Sequence, residues 1–126
     1  MCKLILMILL AVVSSNAMAE WVKVGHNEGI TVYTDPSAII RADDLVKLWK
    51  LVDYQKTPAQ NFTKPFRSFK VQVEFDCKEG NSRRVAQVFY SDNMGEGDAV
   101  LAENIDEKWT LHNVADTLWK IACEKK

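Results

Sequence analysis

The stretch Ser68-Phe69-Lys70-Val71-Gln72-Val73-Glu74-Phe75-Asp76-Cys77 alternates without a break between polar and apolar side chains. Successive side chains of an extended chain point to opposite sides. This period predicts a strand with Phe69, Val71, Val73, Phe75 and Cys77 on a core-facing side. Outward from it, stretches rich in β-branched and aromatic residues predict further strands at 21–24, 30–34, 45–54 and 83–91, with 99–103 as a weaker sixth. Turn formers separate them: Asn27-Glu28-Gly29, Asp35-Pro36-Ser37, Lys78-Glu79-Gly80-Asn81 and Gly95-Glu96-Gly97-Asp98. Connections this short join antiparallel neighbours, because a parallel crossover needs about a dozen residues or more. Residues 57–65 read as a polar loop or wide hairpin tip.

One helix is expected at the C-terminal end. Asn113 stands as its N-cap with Asp116 three residues on, and Val114, Leu118, Ile121 and Ala122 fall on one stripe. Lys120, Lys125 and Lys126 suit the negative end of its dipole. At about 100° per residue, Cys123 lies off that stripe, towards Trp119, so a bridge to it would sit in a fraying last turn. The fold class is α+β: an antiparallel sheet of five or six strands with one C-terminal helix packed on it.

Size then raises a question of cover. A helix of about 11 residues is ~16 Å long and ~10 Å wide, whereas five or six strands span about 25 Å. In 45–54, Leu45, Trp49 and Leu51 share one face while Val46, Leu48, Val52 and Tyr54 share the other. Both faces call for cover, and one helix cannot supply it. The expectation is a homodimer or a sheet face that binds a partner.

The 126 residues are 48% apolar and 26% charged with a formal charge of −1, the composition of one globular domain. With 16 basic against 17 acidic side chains, no excess is available to neutralise phosphates, which argues against nucleic-acid binding. Residues 1–19 read as a signal peptide: Lys3, an apolar run at 4–13, and the small-x-small site Ala17-Met18-Ala19, with cleavage before Glu20. The apolar run is about half the ~20 residues that span a bilayer core, so a stable membrane anchor is not expected. Residues 20–126 form the mature domain, periplasmic or secreted. Cys2 leaves with the signal peptide. Cys77 and Cys123 then allow a single pairing, and an exported domain with two cysteines is expected to form that disulfide. Closing a loop of about 46 residues is worth roughly 4 kcal/mol in the chain-entropy model.

Recognised chemical motifs are missing. Neither HExxH, CxxC pairs nor an acidic calcium loop occurs, so no metal site and no cofactor is expected, and no GxSxG supplies a nucleophile, so no catalytic residue is assigned. His26 and His112 read as solvated surface residues. Met94-Gly95-Glu96-Gly97-Asp98 is a turn, since it lacks a GK[ST] ending and carries two acids. Lys78, Arg83 and Arg84 read as a solvated strand end rather than a site for an acidic partner. Asn61-Phe62-Thr63 fits the glycosylation pattern, which matters only in a eukaryotic secretory route. Phe62 and Phe66, near Pro58 and Pro65, are expected to tuck back onto the sheet.

Several blocks resemble the bacterial surface-adhesin protein E family. These are Ala19-Glu20-Trp21-Val22-Lys23-Val24-Gly25, Val32-Tyr33-Thr34-Asp35-Pro36-Ser37, Val46-Lys47-Leu48-Trp49, and Val73-Glu74-Phe75-Asp76-Cys77. Tyr90-Ser91 followed by Met94-Gly95-Glu96-Gly97, and Leu118-Trp119-Lys120-Ile121-Ala122-Cys123, continue the likeness across the mature chain. The resemblance implies a bent antiparallel sheet with a C-terminal helix against it, a bridge at Cys77 and Cys123, dimerisation in some relatives, and a Gram-negative envelope or surface protein that adheres to host matrix proteins. No ligand-binding residue follows from it. The expected function is therefore a non-enzymatic, exported protein-binding domain, adhesin-like, with a host matrix protein as one class of partner. The alternative is a periplasmic structural or stress-related accessory with no host ligand.

Overall fold

The computed structural model describes residues 20–58 and 64–124. The signal peptide assigned to 1–19, Asn61, Phe62 and Thr63, and Lys125 and Lys126 lie outside the described residues. The strands are β1 (Val22–Asn27), β2 (Ile30–Thr34), β3 (Ile40–Ala42), β4 (Leu45–Tyr54), β5 (Ser68–Asp76), β6 (Asn81–Tyr90), β7 (Ala99–Asn104) and β8 (Thr110–Leu111). They form one antiparallel sheet in the order β1-β2-β4-β5-β6-β7, with β3 also against β4 and β8 also against β6.

Two of these strands, β3 and β8, escape the sequence reading because each extends a row that a predicted strand already occupies. Strand β2 pairs with 50–54 of β4, and β3 pairs with 45–47 of the same strand. Between them Asp35 interrupts the ladder: its carboxylate accepts from Ser37 N at 3.0 Å, and Pro36, which has no N–H to give a neighbour, opens the 3-10 turn Pro36–Ala38. Across the sheet, β7 pairs with 86–90 of β6, and β8 with Asn81 and Ser82. The sheet is thus six strands wide, with a broken row on either side of its β4, β5 and β6 centre.

Strand β5 behaves as its alternation predicts. Val71, Val73 and Phe75 are buried with Val46 and Leu48 of β4 beneath Leu118, Trp119 and Ala122. Burying large apolar side chains of this kind stabilises by roughly 1.5–3 kcal/mol each, so this cluster carries the docking of the helical segment. Phe66 tucks back as expected, 5% exposed, with its ring 4.8 Å from Phe89 and edge-on to it.

The helical segment departs from expectation in its start and its buried face. Helix α1 (Thr117–Trp119) has Asp116, not Asn113, at its N-cap and runs straight into a π-helical turn, Lys120–Glu124. Asn113 instead closes the turn before it, its side chain accepting from Ala115 N at 3.0 Å and its carbonyl from Asp116 N at 3.0 Å. Val114 precedes the helix and is 56% exposed, while Trp119 takes the core position that the α-helical stripe gave to Val114. A π turn advances fewer degrees per residue than an α turn. That slower rotation keeps Trp119, Ala122 and Cys123 on the sheet side. The Cys77–Cys123 disulfide forms there, with a Cα separation of 5.5 Å.

Candidate functional site

The helical segment covers one face of the sheet. The other face is built by the residues that alternate with the core. Register places Lys47 beside Glu74, Trp49 beside Gln72, Leu51 beside Lys70, and Asp53 beside Ser68. It continues onto β6 with Arg83, Ala86, Val88 and Tyr90 opposite Glu74, Gln72, Lys70 and Ser68.

Cover here is partial. At one end the 3-10 turn Asn93–Gly95 lies over Leu51 and Ser68. The Asp53 carboxylate accepts from Met94 N at 2.7 Å and from Asn93 Nδ2 at 3.0 Å, and Gly95 N donates to Ser68 Oγ at 2.8 Å. This turn accounts for the full burial of Leu51. The expectation that 94–98 is a turn holds, and its role in capping Leu51 had no signal in local sequence. At the other end Trp109 lies 4.4 Å from the Arg83 guanidinium, which is ion-paired to Glu74 at 2.8 Å. Between the two ends the Lys70 ammonium stands 5.4 Å from the Trp49 ring centroid and 5.2 Å from that of Tyr90. Ile40 and Leu45 continue the surface at 58% and 37% exposure. Trp, Tyr and Arg on a face without a full protein layer are the side chains that most often anchor protein interfaces.

The two histidines part company. His26 is exposed, as expected. His112 is not a solvated surface residue, and that reading is corrected. Its ring stacks on Trp119 at 5.6 Å and meets Phe75 edge-on. Nδ1 lies 2.8 Å from Ser82 Oγ and Nε2 lies 2.8 Å from Asp116 Oδ2. Serine, histidine and carboxylate thus stand in relay, but Ser82 is 8% exposed on the helix-covered face. The arrangement fastens the segment ahead of α1 to β6. The spacing of His112 and Asp116, four residues apart, was the available signal for half of it.

The basic cluster also separates. Strand alternation puts Arg83 on the open face, opposite Glu74, and Arg84 on the other side, opposite Val73, where it pairs with Glu107 at 2.7 Å. That pairing holds the Glu107 carboxyl below the usual carboxylate range. Lys78 lies beside the disulfide, in a cleft of about 540 Å³ that Arg41, Asp43 and Asp44 also line. A larger cleft of about 800 Å³ opens at the β1–β2 hairpin end of the sheet, bordered by His26, Lys23 and Arg67. Among the described residues, no cluster of His, Cys, Asp and Glu is placed to hold a metal ion, and no helix is long and apolar enough to cross a membrane.

Comparison with known proteins bears on the fold first. The crystal structure of protein E from non-typeable Haemophilus influenzae superposes with a TM-score of 0.60 at 16% identity, covering 85% of this chain and 75% of that one. A second structure of Haemophilus influenzae protein E gives 0.58 at 16% identity over 82% and 81% of the two chains, and its crystal form II gives 0.58 at 16% over 82% and 84%. No curated protein matches the sequence. The family model of Surface-adhesin protein E matches residues 21–124, from the residue before β1 to the end of the π-helical turn. The chain belongs to the Surface-adhesin protein E family.

Proposed function

We propose that this chain is an exported, non-enzymatic protein-binding domain of the bacterial envelope, adhesin-like, that engages its partner through the open face of the sheet. One observation carries the reading: Trp49, Lys70, Tyr90 and Arg83 are held in register, with Trp109 against Arg83, on a face that the helical segment does not cover. Membership of the adhesin family favours a protein partner, with host matrix proteins as the class to test first. Residues 1–19 serve as the signal peptide, cleaved before Glu20, and the disulfide suits an oxidising compartment such as the periplasm or the exterior.

Immobilised protein is tested against purified matrix proteins. Saturable binding that Trp49→Ala weakens at least ~30-fold, the loss typical of an interface anchor, is the expected result. Absence of saturable binding to every matrix protein contradicts the adhesin reading. The second reading, a periplasmic structural or stress-related accessory without a host ligand, is favoured by exposed Ile40 and Leu45, through which two copies would pair. Sedimentation of wild type against Leu45→Glu measures that pairing directly.

A further inference from the structure

The cleft at the β1–β2 end of the sheet is bordered by an arginine that pairs with no acid among the described residues. Arg83 and Arg84 are paired with Glu74 and Glu107, and Arg41 donates to helix carbonyls. Among the described residues Arg67 forms no ion pair; its Nη2 donates to the Gln55 carbonyl at 2.8 Å. Its Nε is buried without any hydrogen-bond partner. The stem is therefore fixed while the guanidinium end borders the cleft. A fixed guanidinium presents donors in a planar fork that matches a carboxylate.

The rest of the lining decides how much negative charge the cleft accepts. Lys23 and His26 project from β1, and Glu28 and Asp53 are the acids. Asp53 is committed to Asn93 and Met94 N–H. With Lys23 and Arg67 set against Glu28 and Asp53, the cleft carries no net excess that would draw a polyanion, and Arg67 borders it without an acid paired to it among the described residues. Its volume of about 800 Å³ lies within the range of sites that take a few residues of a peptide or a small ligand.

We propose that this cleft is a carboxylate subsite, in which Arg67, assisted by Lys23, receives a single acidic side chain of a protein partner carried on an otherwise uncharged segment. The subsite extends the binding role proposed above, and its test does not use the partner.

The probe is an end-blocked pentapeptide of glycines with one central glutamate, titrated against the purified protein while the arginine Nε–H and the Thr31 and Asn93 amide NMR signals are followed. Saturable shifts are expected, with the glutamine counterpart binding at least ~10-fold more weakly, the ratio that one charge-assisted pair supplies. Arg67→Gln should abolish the preference for glutamate. Lys23→Gln, on an exposed side chain, should reduce it several-fold with the fold intact. Equal affinity for the two peptides, no saturable shift, or an unchanged preference in Lys23→Gln or Arg67→Gln overturns the subsite. Trp49→Ala should leave the peptide affinity unchanged, so failure of the open-face reading and failure of this subsite are read separately.

Discussion

Arg41 donates from Nη1 to the carbonyl oxygen of Ala122 at 2.5 Å, so a three-residue strand closes the end of a helix some 80 residues further along the chain. Its Nη2 reaches the Ile121 carbonyl at 3.4 Å. The carbonyls at a helix end lack intrahelical partners and carry partial negative charge, which a guanidinium satisfies with both charge and donors.

Arg41→Gln should therefore destabilise the protein by about 1–2 kcal/mol, the range for a charge-assisted bond to a partly buried acceptor. Urea unfolding measures it. Lys47→Gln, on the opposite face of β4, serves as the control, with an expected change of less than about 0.5 kcal/mol.

The disulfide acts at the same helical turn, by restricting the unfolded chain. Replacing both cysteines, Cys77→Ser with Cys123→Ser, should cost roughly 2–4 kcal/mol. The buried contacts of Leu118, Trp119 and Ala122 should still dock the helix in the folded fraction, which Trp119 fluorescence in the absence of denaturant reports.

Lys50 gives a pH dependence with a definite sign. It lies on the helix-covered side of β4, opposite Val71 and Thr34. Burial lowers its pKa from 10.5, Asp116 partly offsets that, and Arg84 adds to the lowering. A base with a depressed folded-state pKa binds its proton less readily when folded. It therefore opposes folding below that pKa, and the opposition fades as pH rises towards 10.5. Lys50→Met should raise stability by about 1 kcal/mol at neutral pH, and the gain should shrink through the alkaline range. Urea unfolding across that range checks both the sign and the window.

Gly97 has φ of +79°, and a Cβ built there meets Ser91 Oγ and the Asp92 carboxylate. Gly97→Ala should cost about 1–3 kcal/mol through strain and contact. It should also loosen the neighbouring Asn93–Gly95 turn over Leu51, which faster amide exchange at Met94 and Gly95 would show.

The alternation through Phe69, Val71, Val73 and Phe75 made the centre of the sheet legible, because a period of two fixes which side is buried before any partner is known. Opposite faces for Trp49 and Leu48 followed for the same reason. Strands β3 and β8 carried no such signal, since three and two residues set no period and their ladders depend on β4 and β6 being in place. The covered position of His112 depends on Phe75, Ser82 and Trp119, which meet it only in the folded chain. On the open face, the alternation put Trp49 with Leu45 and Leu51 on one side of 45–54 and Lys70 on the polar side of its own strand. The lysine poised between Trp49 and Tyr90 needs the β4, β5 and β6 register, which local patterns do not contain.

Oxidative footprinting of the tryptophans, free and in complex with a bound matrix protein, tests the open face most directly. Trp49 and Trp109 should label in the free protein and become protected in the complex, while Trp119 stays protected in both. Unchanged labelling of Trp49 and Trp109 in a saturated complex would contradict binding through this face.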